Sequence, residues 1–312
     1  MDGKIDRRAF LVATASLTAA IRKPRWWRSQ APRTRLILLG TGAGPRPRRE
    51  TSGSAQVIIA GDQLYVVDCG DGVARQLVLA GASLAALRHV FITHHHSDHN
   101  ADYGNLLLLA WEAGLQKRVD TWGPPPIARM TRQFFEMNAV DIDTRIADEG
   151  RASLIPLVHV HELTGPGVVM QDDAVKVTTA IVDHPLIRRA HAYRFDAADR
   201  SIVISGDTTR SASLIKLAEG ADVLVHEAIY PEAIDRIVAR VPNASTLKNH
   251  LFASHTTAED CGRIAAEAGV KTLVLSHLAP SDPTIVTEAM WTDAARRHFN
   301  GQIIVGRDLM EV

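Results

Sequence analysis

The chain has 312 residues, 46% of them hydrophobic and 22% charged, enough to bury one large core or two small ones. Lys plus Arg and Asp plus Glu each total 35, and this balance excludes a whole-molecule field that would draw in nucleic acid or an anionic membrane. Cys69 and Cys261 are the only cysteines, and neither has a partner at zinc-ligand or redox spacing, so they read as packed thiols.

In chain order, "MDGKIDRRAFLVATASLTAA" comes first, with Arg7-Arg8 ahead of Phe10-Leu11 and a nearly uncharged stretch through Ile21. It resembles a twin-arginine export signal, so residues 1 to 30 are expected to be a signal and linker and the protein periplasmic, or cytoplasmic if this segment serves otherwise. The apolar stretch is about half of what a membrane-spanning helix needs, so no stable membrane anchor is expected. The folded domain is expected from Thr34 to Val312.

"TRLILLGTGAG", "SAQVIIA" and "QLYVVDCGDG" are short β-branched runs broken by Gly and Asp, the pattern of an opening antiparallel sheet. "DGVARQLVLAG" reads as a helix capped by Asp71 and closed by Gly81, and "HVFI" as the next strand. "GNLLLLAWEAGL" and "PIARMTRQFFEMNAV" look helical, with the strand-like "VDTWGPPP" between them. "SLIPLVHVHEL", "AVKVTTAIVDHP" and "AHAYRFD" are strand-like. The last third alternates: strands "SIVISGD", "DVLVHEA", "TLVLSH" and "QIIVG", helices "SASLIKLAEG", "TAEDCGRIAAEAG" and "TIVTEAMWTDAARRHF". Mixed strands followed by helix-strand units point to a layered α/β sandwich.

"FITHHHSDHN" at 91 to 100 follows one of these strands and spaces its side chains as His94-x-His96-x-Asp98-His99. A turn leaving a strand sends alternate side chains two ways, so His94 and His96 suit one ion, and Asp98 and His99 a second. His95 has no ligand spacing. Further ligands should close other strands, and His184, Asp207 and His277 each follow an apolar run. The simplest assignment gives His94, His96 and His184 to one zinc, Asp98, His99 and His277 to the other, and Asp207 to both, since a carboxylate has an oxygen for each. Manganese or iron also suits such mixed sites. His159 and His161 share one strand face and are weaker candidates. His250, in the apparent loop "TLKNHLFASH", would line the pocket mouth. Arg194 is either an anion contact or a structural ion pair. "GTGAGPRP" lacks the lysine of a P-loop and reads as a tight turn near the metals.

"THHHSDH" with Gly104 after it, "VDHP", "SGDT" and "LSHL", in this order, resemble the metallo-β-lactamase superfamily, in particular its ribonuclease Z and arylsulfatase branch. The likeness runs from "LLGTGAG" to "VGRDLMEV" and implies an αββα sandwich of two mixed sheets flanked by helices, with a dinuclear site along one edge. It also marks "HEAIY" and "SHTTAED". In ribonuclease Z the histidine matching His255 is thought to aid proton transfer, with the glutamate matching Glu227 close to it; helix capping and a buried salt bridge are their alternative uses. Those ribonucleases usually carry a long arm, often between the segments matching "AYRF" and "SGDT", whereas here only "DAADRSIVI" separates them.

Two zinc ions lower the pKa of a shared water from about 15.7 towards 7 and supply a hydroxide nucleophile, with Asp98 orienting it and His255 donating a proton to the leaving oxygen. The expectation is therefore a dizinc hydrolase of small sulfate or phosphate esters. A ribonuclease Z-like endoribonuclease that processes tRNA 3′ ends stands second, followed by β-lactamase activity and a non-catalytic metal-binding role. Nucleic acid ranks below a small-molecule ester as partner, and a homodimer is compatible with all of these.

Overall fold

The computed structural model describes residues 34–312, and the export-signal reading of residues 1 to 30 lies outside them. β1 (Arg35–Gly40), β2 (Ala55–Ala60) and β3 (Gln63–Val67) form an antiparallel meander. α1 (Val73–Leu79) leads to β4 (Leu87–Phe91), which runs parallel to β3. The chain continues through α2 (Ser97–Asn100), α3 (Tyr103–Glu112), β5 (Val119–Gly123), α4 (Ile127–Met137) and α5 (Ala139–Glu149) to β6 (Val158–Glu162), which adds parallel to β5.

The second half repeats this plan, with its antiparallel strands β7 (Gly167–Gln171), β8 (Val175–Val182), β9 (Ala190–Ala197) and β10 (Ser201–Ile204) first. α6 (Ala212–Ala218), β11 (Val223–Ile229), α7 (Ile234–Val238), α8 (Leu247–Ser254), α9 (Ala258–Ala268), β12 (Thr272–Ala279), α10 (Glu288–Arg296) and β13 (Gln302–Val305) follow, the strands all parallel. β14 (Met310–Glu311) returns to pair with β1. The strand orders are β14-β1-β2-β3-β4-β5-β6 and β13-β12-β11-β10-β9-β8-β7.

Three apolar cores separate four layers. Leu36, Ile58, Tyr65, Phe91, Tyr193, Phe195 and Val225 meet between the sheets. Leu77, Leu107 and Trp111 pack the first sheet against its helices, and Leu214, Ile264 and Trp291 do so for the second. This is the expected αββα sandwich of two mixed sheets. Each fully buried side chain of this size contributes roughly 1.5–3 kcal/mol. α9 shows the local logic: Ala258, Cys261, Ile264, Ala265 and Ala268 recur at three- and four-residue spacing on its buried face. Thr257 caps it by accepting from the Asp260 N–H at 3.1 Å. Both cysteines are free and buried, as expected. Among the described residues, no helix is long and apolar enough to cross a membrane.

Some local expectations are corrected. Asp71 does not cap α1: left-handed Gly72 holds the N-cap place, and its N–H donates to the Asp102 carboxylate at 2.7 Å. "TLKNHLFASH" is mostly the helix α8, with Leu247 and Leu251 in a small core beside Ile234. The last long helix starts only at Glu288, where the Thr287 side chain caps it. Arg194 is structural, bonded to Asp196 and to the carbonyls of Leu217 and Glu219. His161 bonds Asp120 at 2.7 Å and stacks on Trp122, which accounts for it without a metal.

Asp308, near the C-terminus, closes the fold around the β1–β2 loop. Its carboxylate accepts from the Thr41 N–H and hydroxyl at 2.9 and 2.8 Å, from the Ser52 N–H at 2.6 Å and from the Gln76 amide at 3.1 Å. Asp308→Ala strands these donors and is expected to lower the unfolding free energy by about 2–4 kcal/mol. A urea titration reads this as a lower midpoint at unchanged slope.

Candidate metal centre

The site lies where strand ends of both sheets meet. The chain leaves β4 extended through His96, then coils into α2, so His94 and His96 come from the extended segment and Asp98 and His99 from one helical turn. His184 follows β8 by two residues and Asp207 follows β10 by three. His277 does not end its strand as expected. β12 continues to Ala279, and His277 is an extra residue between Ser276 and Leu278, which oppose the consecutive Glu227 and Ala228. Its φ of 46° belongs to this bulge, a device that re-aims a side chain out of the ladder.

All seven sequence-chosen ligand residues come together. His94, His96, His184 and Asp207 form one cluster and Asp98, His99 and His277 another, with ligand atoms in each within 4.8 Å of one another. Asp207 faces both: Oδ1 is 3.3 Å from His99 Nε2, and Oδ2 is 3.5 Å from His277 Nε2 and 3.8 Å from His94 Nε2. A third cluster joins Asp207, His255 and His277.

The donor set fits metal. His94 Nε2 lies 3.0 Å and His184 Nε2 3.2 Å from His96 Nδ1, three ring nitrogens converging on one point. His184 donates its Nδ1–H to the Ser254 carbonyl, which leaves a lone pair on Nε2 when the ring is neutral. Burial lowers the pKa values of His94, His96 and His184, the last to about 4, keeping these rings in the neutral, ligating form. Burial opposes the charge of Asp98, but His99 and His277 hold it ionised, and Asp207 is held ionised by His277 and His99 against a similar burial cost. His99 Nε2 and Asp207 Oδ1 are buried with no hydrogen-bond partner among the described residues. Such atoms are costly unless something coordinates them.

His255 and Glu227 adjoin this centre. His255 Nδ1 is 3.3 Å from Glu227 Oε2 and 3.8 Å from Asp207 Oδ2. Burial works to lower the His255 pKa, but Glu227 and the carboxylates of Asp207 and Asp98 outweigh it and raise it to about 9. Glu227 is itself fixed by the Thr256 N–H, which donates to Oε1 at 2.9 Å. His250 projects from α8, its ring 6.0 Å from that of His96 and 6.1 Å from that of His184.

A "Beta-lactamase superfamily domain" matches residues 64–278. The chain belongs to the metallo-β-lactamase superfamily. It is a metal-dependent hydrolase acting on ester bonds. It is similar to a protein named ribonuclease Z from Mycobacterium bovis (strain BCG / Pasteur 1173P2), 33% identical over 89% of this chain and 97% of that one. A ribonuclease Z from Mycobacterium sp. (strain KMS) is 36% identical over 89% of this chain and 95% of its own. Among solved structures, the short form of human tRNase Z shares the fold with a TM-score of 0.67 at 20% identity, covering 89% of this chain and 98% of that one.

In this superfamily member the residues around the candidate ligands are themselves held by hydrogen bonds. Asp68, which sequence reasoning missed, accepts from His99 Nδ1 at 2.7 Å and from the Thr93 N–H and hydroxyl. It closes the apolar run "LYVV", the same signal that pointed to Asp207. Such partners fix ring orientation and raise ligand basicity. The Gly44 N–H donates to Asp98 Oδ2 at 2.7 Å, so the glycine turn does stand at the site. A Cβ on Gly70 would lie 2.4 Å from the Asp98 carbonyl, so only glycine lets that strand end approach the ligand turn. His95 spends both ring nitrogens elsewhere, donating to the Pro124 carbonyl and accepting from Asn100.

Proposed function

We propose that this chain is a phosphodiesterase of the ribonuclease Z type, an endoribonuclease that trims precursor tRNA at its 3′ end. The observation that carries this reading is His255 held by Glu227 beside Asp207. Breaking an RNA linkage expels a ribose alkoxide, which needs a proton far more than a phenolate does, and His255 is placed and charged to give one. The near end-to-end likeness to proteins named ribonuclease Z supports it further.

His94, His96 and His184 would hold one zinc ion and Asp98, His99 and His277 the other, with Asp207 shared. When bound, the ions supply Lewis acidity and a nucleophilic water at neutral pH. Asp98, fixed by Gly44, orients that water; Glu227 holds the proton on His255 until the leaving oxygen takes it.

The short β9–β10 connection ranked RNA second in the sequence reading. However, the mycobacterial relative is matched over 97% of its own length, so little of that relative lies outside the match. The second reading, an exported hydrolase of small sulfate or phosphate esters, keeps two observations: that three-residue connection, 198–200, and Arg7-Arg8 in the sequence.

A substrate panel separates the two. The metal-loaded full chain is expected to cut a 3′-extended precursor tRNA and bis(p-nitrophenyl) phosphate, to lose both activities with chelator, and to leave p-nitrophenyl sulfate intact. Hydrolysis of the sulfate with the RNA untouched would overturn the proposal in favour of the second reading.

A further inference from the structure

The connection between β8 and β9, residues 183–189, carries the candidate ligand His184 as its second residue and is pinned to the site at its base. The Thr209 N–H donates to the Asp183 carbonyl at 2.8 Å, the Ile187 N–H to the His184 carbonyl at 3.0 Å, and Thr208 Oγ1 accepts from the Asp183 N–H at 3.1 Å. Above this base Ile187 packs against the core of the second sheet, while Leu186, Arg188 and Arg189 point to solvent. Leu186 is 96% exposed and sits in the left-handed region at φ 71°. A branched side chain rarely adopts that backbone without compensation, and here no packing provides it.

Arg188 and Arg189 follow, both exposed, and neither has an ion pair or side-chain hydrogen bond among the described residues. Asp183, the only acid in the turn, pairs with neither. Arg118, Arg145, Arg263 and Arg297 are each paired with a carboxylate, whereas Arg46, Arg49 and Arg75, like Arg188 and Arg189, have no ion pair among the described residues; Arg188 and Arg189 are the two that share a turn with His184. Arg188 stands four residues past His184, at most ~14 Å of extended chain and less across a closed turn. That span is short enough to bring the guanidinium groups within range of phosphates on either side of a bond placed at the metal centre.

We infer that the Leu186–Arg189 turn is the RNA grip of this chain: Arg188 and Arg189 hold backbone phosphates next to the scissile one, and Leu186 lies against a base. This rests on the RNA reading of the site. Zero net charge is no obstacle, because phosphate contacts depend on local unpaired cations, and an exposed apolar side chain between them suits an unstacked single strand.

The test uses the metal-loaded full chain, its metal content measured, and a fluorescein-labelled RNA hairpin with a single-stranded 3′ tail, titrated over a range of salt. Arg188→Gln with Arg189→Gln is expected to weaken binding about 10- to 100-fold at low salt and to flatten the slope of log Kd against log salt by roughly 1.4, the value for two single-strand phosphate contacts. KM for RNA rises and kcat stays within a few-fold. Arg88→Gln with Arg118→Gln, the same charge loss at the opposite ends of β4 and β5, shifts Kd less than about two-fold. An unchanged Kd, or a weaker Kd at unchanged slope, in the Arg188 and Arg189 variant overturns this inference alone. A wild-type chain that hydrolyses bis(p-nitrophenyl) phosphate yet binds no RNA overturns the RNA reading with it.

Discussion

Asp207→Ala is expected to reduce turnover of every substrate by at least ~10³, a loss of about 4 kcal/mol of transition-state stabilisation. Among the described residues, Asp207 is the side chain whose oxygens face both candidate clusters, at 3.3 Å from His99 and 3.8 Å from His94. If Asp207 is shared as proposed, its removal takes a ligand from each ion, and it takes a carboxylate from a pocket crowded with imidazoles. Metal content should fall below two per chain when the protein is dialysed against a weak chelator. Asp207→Asn separates charge from shape: it keeps one oxygen and the packing, but its amide nitrogen is no ligand, so it should retain the wild-type melting behaviour of the metal-free chain more closely than Ala while losing nearly as much activity. Two metals retained with wild-type turnover in either variant would rule out a shared carboxylate at this position.

The four-layer fold and the residues that come together at the candidate centre were legible because each candidate ligand outside the histidine loop sits next to a strong apolar strand. A polar residue there cannot be serving the core, and the strand end gives it a rigid base. What escaped the sequence escaped for physical reasons. α5 carries few apolar residues, and only Ile142 is fully buried, so its periodicity is faint. β7 is an edge strand with exposed and half-buried positions, Val168 among them, and lacks the alternation of a half-covered strand. The bulge that turns His277 into the site depends on its pairing with β11, which no local pattern announces. Asp68 was overlooked because its neighbours Cys69 and Gly70 read as a turn, although that turn brings the carboxylate to His99. Net charge weighed against nucleic acid, yet a sum of zero says nothing about where arginines without a carboxylate partner lie, so it does not count against the RNA reading proposed above.

His255→Ala is expected to divide substrates by their leaving groups. Cleavage of RNA, which expels a ribose oxygen, should lose about 10²–10³ in kcat, the usual worth of a placed proton donor. Hydrolysis of bis(p-nitrophenyl) phosphate should lose less than ~10-fold, because a nitrophenolate leaves without a proton. The reason lies in the ring's surroundings. Glu227 Oε2 at 3.3 Å and Asp207 Oδ2 at 3.8 Å both face Nδ1, which orients the ring and keeps it charged at neutral pH despite its burial. Glu227→Gln keeps the shape of that contact but removes the charge, so it should lose RNA cleavage in the same direction and by less. The competing role is visible in the same geometry, since Asp207, His255 and His277 lie close enough to share an ion. Were His255 a ligand, its removal would lower metal content and slow both substrates equally. Two metals per chain in His255→Ala, with the loss confined to RNA, is the result that makes it the proton donor.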